Sequence, residues 1–214
     1  MMKHLWKSNY LQIAAAISLV LMACLLSQTG CGSGIPRSQN YFALLQGNSW
    51  LYQGSEEGQK ISVEIKVAKP DPALKLSSGI MDVEVTGSLG NYEVSESGLF
   101  LEATPTDTKL WGVKQTGATP QFFDTPYIWL QQPLQVGGEY NTAIQGTPAP
   151  AQMVVTGRQT VATPWGPREG FSLEEKSGEG VAGGVRLVFV PYLGFTSISA
   201  PDWPKLDLKD ASLK

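Results

Sequence analysis

Ile61-Ser62-Val63-Glu64-Ile65-Lys66-Val67 is the stretch that decides how this chain folds. Apolar residues occupy every second position, with polar or charged residues between them. Successive side chains of a strand point to opposite faces, so this period puts Ile61, Val63, Ile65 and Val67 on a buried face and Ser62, Glu64 and Lys66 toward water. The pattern recurs downstream. Met81, Val83 and Val85 alternate with Asp82, Glu84 and Thr86; Tyr140, Thr142 and Ile144 with Asn141 and Ala143; Val185, Leu187 and Phe189 with Arg186 and Val188. Turn chemistry divides the runs at Gly54-Ser55, Pro70-Asp71-Pro72, Gly87-Ser88-Leu89-Gly90, Pro148-Ala149-Pro150, Pro164-Trp165-Gly166-Pro167 and Gly183-Gly184. About ten to twelve strands result, with no amphipathic helix in the body. The expected fold is all-β: an antiparallel curved sheet, half-barrel or sandwich, after an N-terminal signal helix.

The first residues follow a different logic. Lys3, His4 and Lys7 make a cationic start, and Leu11 to Leu26 is almost purely apolar, broken by Gln12 and Ser18. Small and polar residues follow around Gly30-Cys31-Gly32-Ser33-Gly34. A positive end, an apolar run and a small-residue processing site make a secretory signal. A membrane-spanning helix needs about 20 apolar residues, and this run is somewhat short; an uncleaved anchor is the alternative reading. Both cysteines, Cys24 and Cys31, lie in or just after the run. Leu21-Met22-Ala23-Cys24 resembles the bacterial lipoprotein signal, in which a small residue precedes the cysteine that a dedicated peptidase exposes and that carries diacylglycerol and a further acyl chain such as palmitate. Gln28-Thr29-Gly30-Cys31 departs from that pattern in its polar Gln28, but is followed by a Gly-Ser linker. Cys24 is the favoured lipidation site and Cys31 the alternative. The resemblance implies residues 1–24 (or 1–30) as signal peptide; by composition and period, 25–40 reads as a flexible tether and 41–214 as a single antiparallel β domain. It also implies a cell-envelope protein anchored to a membrane by lipid. Neither Leu25 nor Gly32, the residues after the two cysteines, is the Asp that retains such proteins on the inner membrane. The implied address is therefore the outer membrane facing the periplasm if the source has one, and otherwise the outer face of the plasma membrane.

Charge narrows the partners. The net charge is −3, and residues 1–31 hold Lys3 and Lys7 without an acid, so removing them leaves a more acidic protein. The four arginines, Arg37, Arg158, Arg168 and Arg186, are widely spaced. Displacing counterions from phosphates needs clustered cations, so no nucleic acid is expected as a partner.

Much chemistry lacks its residues. The sole histidine, His4, lies in the signal. A body without imidazole has no Ser-His-Asp or Cys-His nucleophile and no His-ligated zinc. Gly178-Glu179-Gly180-Val181-Ala182-Gly183 spells a dinucleotide motif, but it leads into Val185–Val190, which reads as a strand rather than the helix such a site requires. Glu56-Glu57 and Glu174-Glu175 are adjacent, so on a strand each pair faces opposite ways and cannot act locally as acid and nucleophile. No catalytic residue, metal ligand or cofactor is assigned, and the protein is expected not to be an enzyme; a hydrolase using carboxylates brought together by folding is the remaining enzyme route.

Phe122-Phe123-Asp124-Thr125-Pro126-Tyr127-Ile128-Trp129-Leu130 is the densest aromatic stretch. Its side chains either fill the core or line a groove for an apolar ligand or partner, since aromatics offer large contact area at low entropy cost. Phe122, Phe123, Tyr127 and Trp129 are candidate binding residues, with Trp165 from the Pro164–Pro167 turn. The expected role is a membrane-anchored envelope lipoprotein whose β body binds an apolar ligand or an envelope protein. The alternative is a structural or assembly lipoprotein without a ligand.

Two segments echo one another. Leu44-Leu45-Gln46-Gly47-Asn48-Ser49-Trp50 and Leu134-Gln135-Val136-Gly137-Gly138-Glu139-Tyr140 share Leu-x-x-Gly-x-x-aromatic. Each glycine suits a turn before a strand that opens on an aromatic; the echo reads either as two related β halves or as chance. Tyr41 to Tyr52 resembles the opening of a group of uncharacterised bacterial exported domains, Tyr-x-Pro-Leu-x-x-Gly-x-x-Trp-x-Tyr, with Ala43 in place of Pro. Thr160-Val161-Ala162-Thr163-Pro164-Trp165-Gly166 with Phe171 resembles their Thr-x-x-Thr-Pro-x-Gly-x-Phe hairpin, and Phe189–Phe195 loosely resembles a later segment. The resemblance implies a curved antiparallel sheet like that of the periplasmic lipoprotein-carrier superfamily, whose concave face holds apolar chains or partner proteins.

Overall fold

The computed structural model describes residue 41 and residues 44–89, 92–142, 151–176, 184–201 and 204–214. The signal, Cys24, Cys31, the tether and the Gly178–Gly183 loop lie outside them. The described chain forms twelve strands: β1 (Ser49–Glu56), β2 (Gln59–Ala68), β3 (Ile80–Leu89), β4 (Tyr92–Ala103), β5 (Asp107–Gln115), β6 (Gln121–Gln131), β7 (Glu139–Thr142), β8 (Ala151–Thr163), β9 (Gly166–Lys176), β10 (Arg186–Val190), β11 (Gly194–Ser199) and β12 (Leu206–Ser212). One 3-10 turn, Pro72–Leu74, interrupts them, with Asp71 accepting from the Ala73 amide. All strands join in one antiparallel sheet in the order β6-β5-β4-β3-β2-β1-β12-β11-β10-β9-β8-β7. Chain order runs unbroken around it: the first and last strands pair, and β6 and β7 approach each other to complete a nearly closed barrel. The expected all-β curved sheet is present, with its curvature carried almost to closure.

The alternating residues land as the period requires. Val63, Ile65, Val67, Val83, Val85, Leu187 and Phe189 are buried in one interior cluster. Trp129 on β6 meets Phe195 on β11 with centroids 6.1 Å apart, and Phe195 meets Phe189 at 5.4 Å, so rings from opposite walls touch across the interior. Trp50 and Tyr52 are buried in the same cluster. The Trp50 indole donates to the Leu193 carbonyl at 2.7 Å and the Tyr52 hydroxyl to the Phe195 carbonyl at 2.8 Å.

Two expected turns are strand instead. Gly54-Ser55 lies inside β1, and the hairpin turns at Glu57-Gly58, where φ is +48° and +79°, the left-handed pair that a two-residue hairpin needs. Gly54 serves close approach: a Cβ there would sit 2.4 Å from the Lys205 carbonyl oxygen. Gly87-Ser88-Leu89 completes β3. The Pro164-Trp165 turn does join β8 to β9, its Thr163 hydroxyl donating to the Gly166 carbonyl at 2.6 Å.

The sheet contains a structural repeat. The Gly47 amide donates to the Val67 carbonyl at 2.8 Å, and the Gly137 amide to the Val155 carbonyl at 2.8 Å. Val67 and Val155 return the bond to Asn48 and Gly138 at 2.9 Å each, and both turn glycines have positive φ, +89° and +82°. From these valines the cross-strand rows read Val67–Val83–Leu99–Val113–Gln121 and Val155–Leu173–Leu187–Ile198–Leu206. A bulge falls at the same place in each half, between Phe100 and Leu101 and between Val188 and Phe189. Of the two readings of the echo, the geometry supports related halves, β1–β6 and β7–β12. An alanine at a left-handed position costs about 1–2 kcal/mol. Gly47→Ala and Gly137→Ala are expected to destabilise by that amount each in urea unfolding, whereas a cost at one site only would show that the two turns are not equivalent.

Candidate functional site

The repeat is broken at one place. β12 ladders with β1 from Ser49↔Ser212 to Gln53↔Asp207. The equivalent pair in the other half is β6 with β7, and among the described residues these two strands share no ladder. The sequence of β6 supplies a reason. Gly112 on β5 opposes Phe122 and Leu110 opposes Tyr127, so the single residue Trp111 faces four, Phe123 to Pro126. A bulge of that size bends a strand away from its neighbour, and proline removes a donor, which is tolerated at an edge.

The bulge also sorts the aromatic residues. Phe123, Tyr127 and Trp129 turn inward; Trp129 is buried, while Phe123 and Tyr127 are half-buried against the core with their rings 4.8 Å apart. Phe122 and Ile128 turn outward, 40% and 43% exposed. The Phe122 ring lies 4.8 Å from that of Phe100, which is fully buried on the outer face of the sheet. Val136, in the loop from β6 to β7, is 54% exposed, so three of the four large apolar side chains exposed among the described residues lie on β6 or on the loop that leaves it. Tyr41 packs on Phe189 and Tyr192 with centroids 5.7 and 5.5 Å apart. Burial pushes its hydroxyl up to about 12, against the lowering bond from the Leu134 backbone, which places the start of the body beside the β6–β7 loop.

No family model matches this chain, and no curated protein does. A crystal structure at 2.70 Å of a Parabacteroides distasonis protein, provisionally described as a lipoprotein, is similar at 11% identity with a TM-score of 0.44, covering 83% of this chain and all of that one.

Of the candidate binding residues, the structure brings Phe122, Phe123, Tyr127 and Trp129 together on β6 but distributes them over two faces. Trp165 stands apart, half-buried in the β8–β9 turn. Cys24 and Cys31 lie outside the described residues. Ile128 and Val136 join the seam without having been singled out in the sequence; their signal, an apolar residue beside the aromatic run and one within the second Leu-x-x-Gly element, is too common to stand out. Of the glutamate pairs, Glu174 lies 3.7 Å from Arg186, and Glu57 forms the β1–β2 turn. Among the described residues no group of three metal-capable side chains occurs, and no helix is long and apolar enough to cross a membrane.

Proposed function

We propose that the protein is an envelope lipoprotein, held at a membrane through Cys24 or Cys31, whose barrel binds an apolar ligand or an apolar segment of an envelope protein at the β6–β7 seam. The observation that carries the seam is the concentration of half-buried and exposed apolar side chains on the one strand whose bulge leaves the barrel unlaced. Apolar surface contiguous with a core and open at an edge is the usual form of a binding groove. The lipid anchor rests on the sequence, and Tyr41 lies beside the β6–β7 loop.

The test is fluorescence of N-phenyl-1-naphthylamine with the full-length protein. Wild type is expected to enhance the dye, and Phe123→Ala with Tyr127→Ala to weaken binding about tenfold, equivalent to about 1.4 kcal/mol. Trp165→Ala is expected to leave it unchanged. Equal binding by all three proteins would remove the seam as the site. The aromatic contacts from Trp129 to Phe195 to Phe189, which span the interior, favour a second reading: a structural subunit that presents the seam to a partner and holds no ligand inside.

A further inference from the structure

The outer face of β3, β4 and β5 carries a cleft that is independent of the seam. Its volume is about 130 Å³, and Glu84, Thr86, Ser97, Gly98, Lys114 and Thr116 line it. Gly98 is the floor, with Glu84 opposite it on β3 and Lys114 opposite it on β5. Next to Glu84 on the same outward face, Asp82 is only 6% exposed, and its Oδ1 accepts no hydrogen bond. That oxygen lies 3.1 Å from where a Cβ on Gly98 would stand, so it points at the floor of the cleft. A buried acceptor without a donor costs free energy that a ligand can return.

The other half of the repeat shows what fills such a place. By the cross-strand rows, Asp82 corresponds to Ser172, Glu84 to Glu174, Gly98 to Arg186 and Lys114 to Ser199. There the arginine reaches Glu174 at 3.7 Å, and the Ser172 hydroxyl accepts from the Gln159 amide at 2.9 Å. In the first half, glycine stands where the guanidinium arm begins, and two carboxylates remain around it. Lys66, on β2 opposite Glu84, is engaged by Glu64 at 2.9 Å. Lys114 forms no ion pair among the described residues, but its side chain lies along the floor, with its Cβ and Cδ 3.4 and 3.6 Å from where a Cβ on Gly98 would stand. Burial raises the Asp82 carboxyl above its usual range, with Lys114 lowering it and Glu84 adding to the rise.

We propose that this cleft binds a compact organic cation, an ammonium or guanidinium group that meets Asp82 and Glu84 over Gly98, as Arg186 meets Glu174 in the second half. Lys114 is the one cation lining the cleft and opposes such a ligand; its side chain sets how tightly the cation is held.

Isothermal titration of the full-length protein in detergent, at low ionic strength, with methylguanidinium chloride and with putrescine dihydrochloride tests this. Wild type is expected to bind both. Asp82→Asn keeps the shape and removes the charge, and is expected to weaken binding about tenfold or more, as for loss of a charge-assisted hydrogen bond. Gly98→Arg supplies the cation from within the chain and is expected to abolish binding while circular dichroism stays that of wild type. Lys114→Ala is expected to tighten binding. Absence of binding by both cations, undiminished binding to Gly98→Arg, or weaker binding by Lys114→Ala would overturn the proposal. None of these outcomes bears on the dye site at the seam.

Discussion

Trp50→Ala is expected to lower the unfolding midpoint by roughly 10 °C. The side chain is 1% exposed and packs in the central cluster. Truncating a buried Trp typically costs about 3–5 kcal/mol through lost burial and the cavity left behind. In a domain of this size each kcal/mol corresponds to about 2–4 °C. The loss has a polar component as well, because the indole donates to the Leu193 carbonyl across β12 and leaves that acceptor in the turn between β10 and β11 without its partner. A domain holds only about 5–15 kcal/mol of stability in total, so the abundance of the variant in the cell should fall too. Thermal unfolding followed by circular dichroism reads the effect. If the variant melts like wild type but loses the naphthylamine dye, Trp50 belongs to the binding surface and not to the frame.

Replacing both cysteines by alanine is expected to abolish incorporation of a fatty-acid analogue and to release the protein from the membrane fraction. A single acyl chain holds a protein at a bilayer only marginally, and two or three hold it firmly; the modification therefore acts nearly as an all-or-none anchor. Cys24→Ala alone is expected to reproduce the double substitution, because Leu21-Met22-Ala23-Cys24 carries the better signal. Cys31→Ala alone should then label normally. The reverse result would move the processing site to Gly30-Cys31, and labelling that survives the double substitution would refute lipidation altogether.

The β class of the body was legible because alternation is a local property. A strand exposes its two faces at a period of two whatever it pairs with, so Ile61–Val67 and Val185–Val190 declared themselves without their neighbours. The Leu-x-x-Gly-x-x-aromatic echo was also local, and its meaning became plain only when Gly47 and Gly137 made the same bonds to Val67 and Val155. The turns were read less well. Gly54 and Gly87 look like breakers in one dimension, but Gly54 is small because the Lys205 backbone crosses it, a neighbour about 150 positions away.

The sequence by itself thus determined the strand period, the tight Pro164-Trp165 turn and the absence of imidazole from the body. Tertiary structure alone decided that β1 and β12 lace while β6 and β7 do not. It also decided that Phe122 and Phe123, adjacent in the chain, serve different faces, and that Asp82, which reads as an ordinary solvent-facing acid, is buried with an unpaired oxygen. The physical reason is common to all three. Pairing, face and burial of a strand residue depend on which residue lies opposite it, and a single bulge resets that register for everything beyond it.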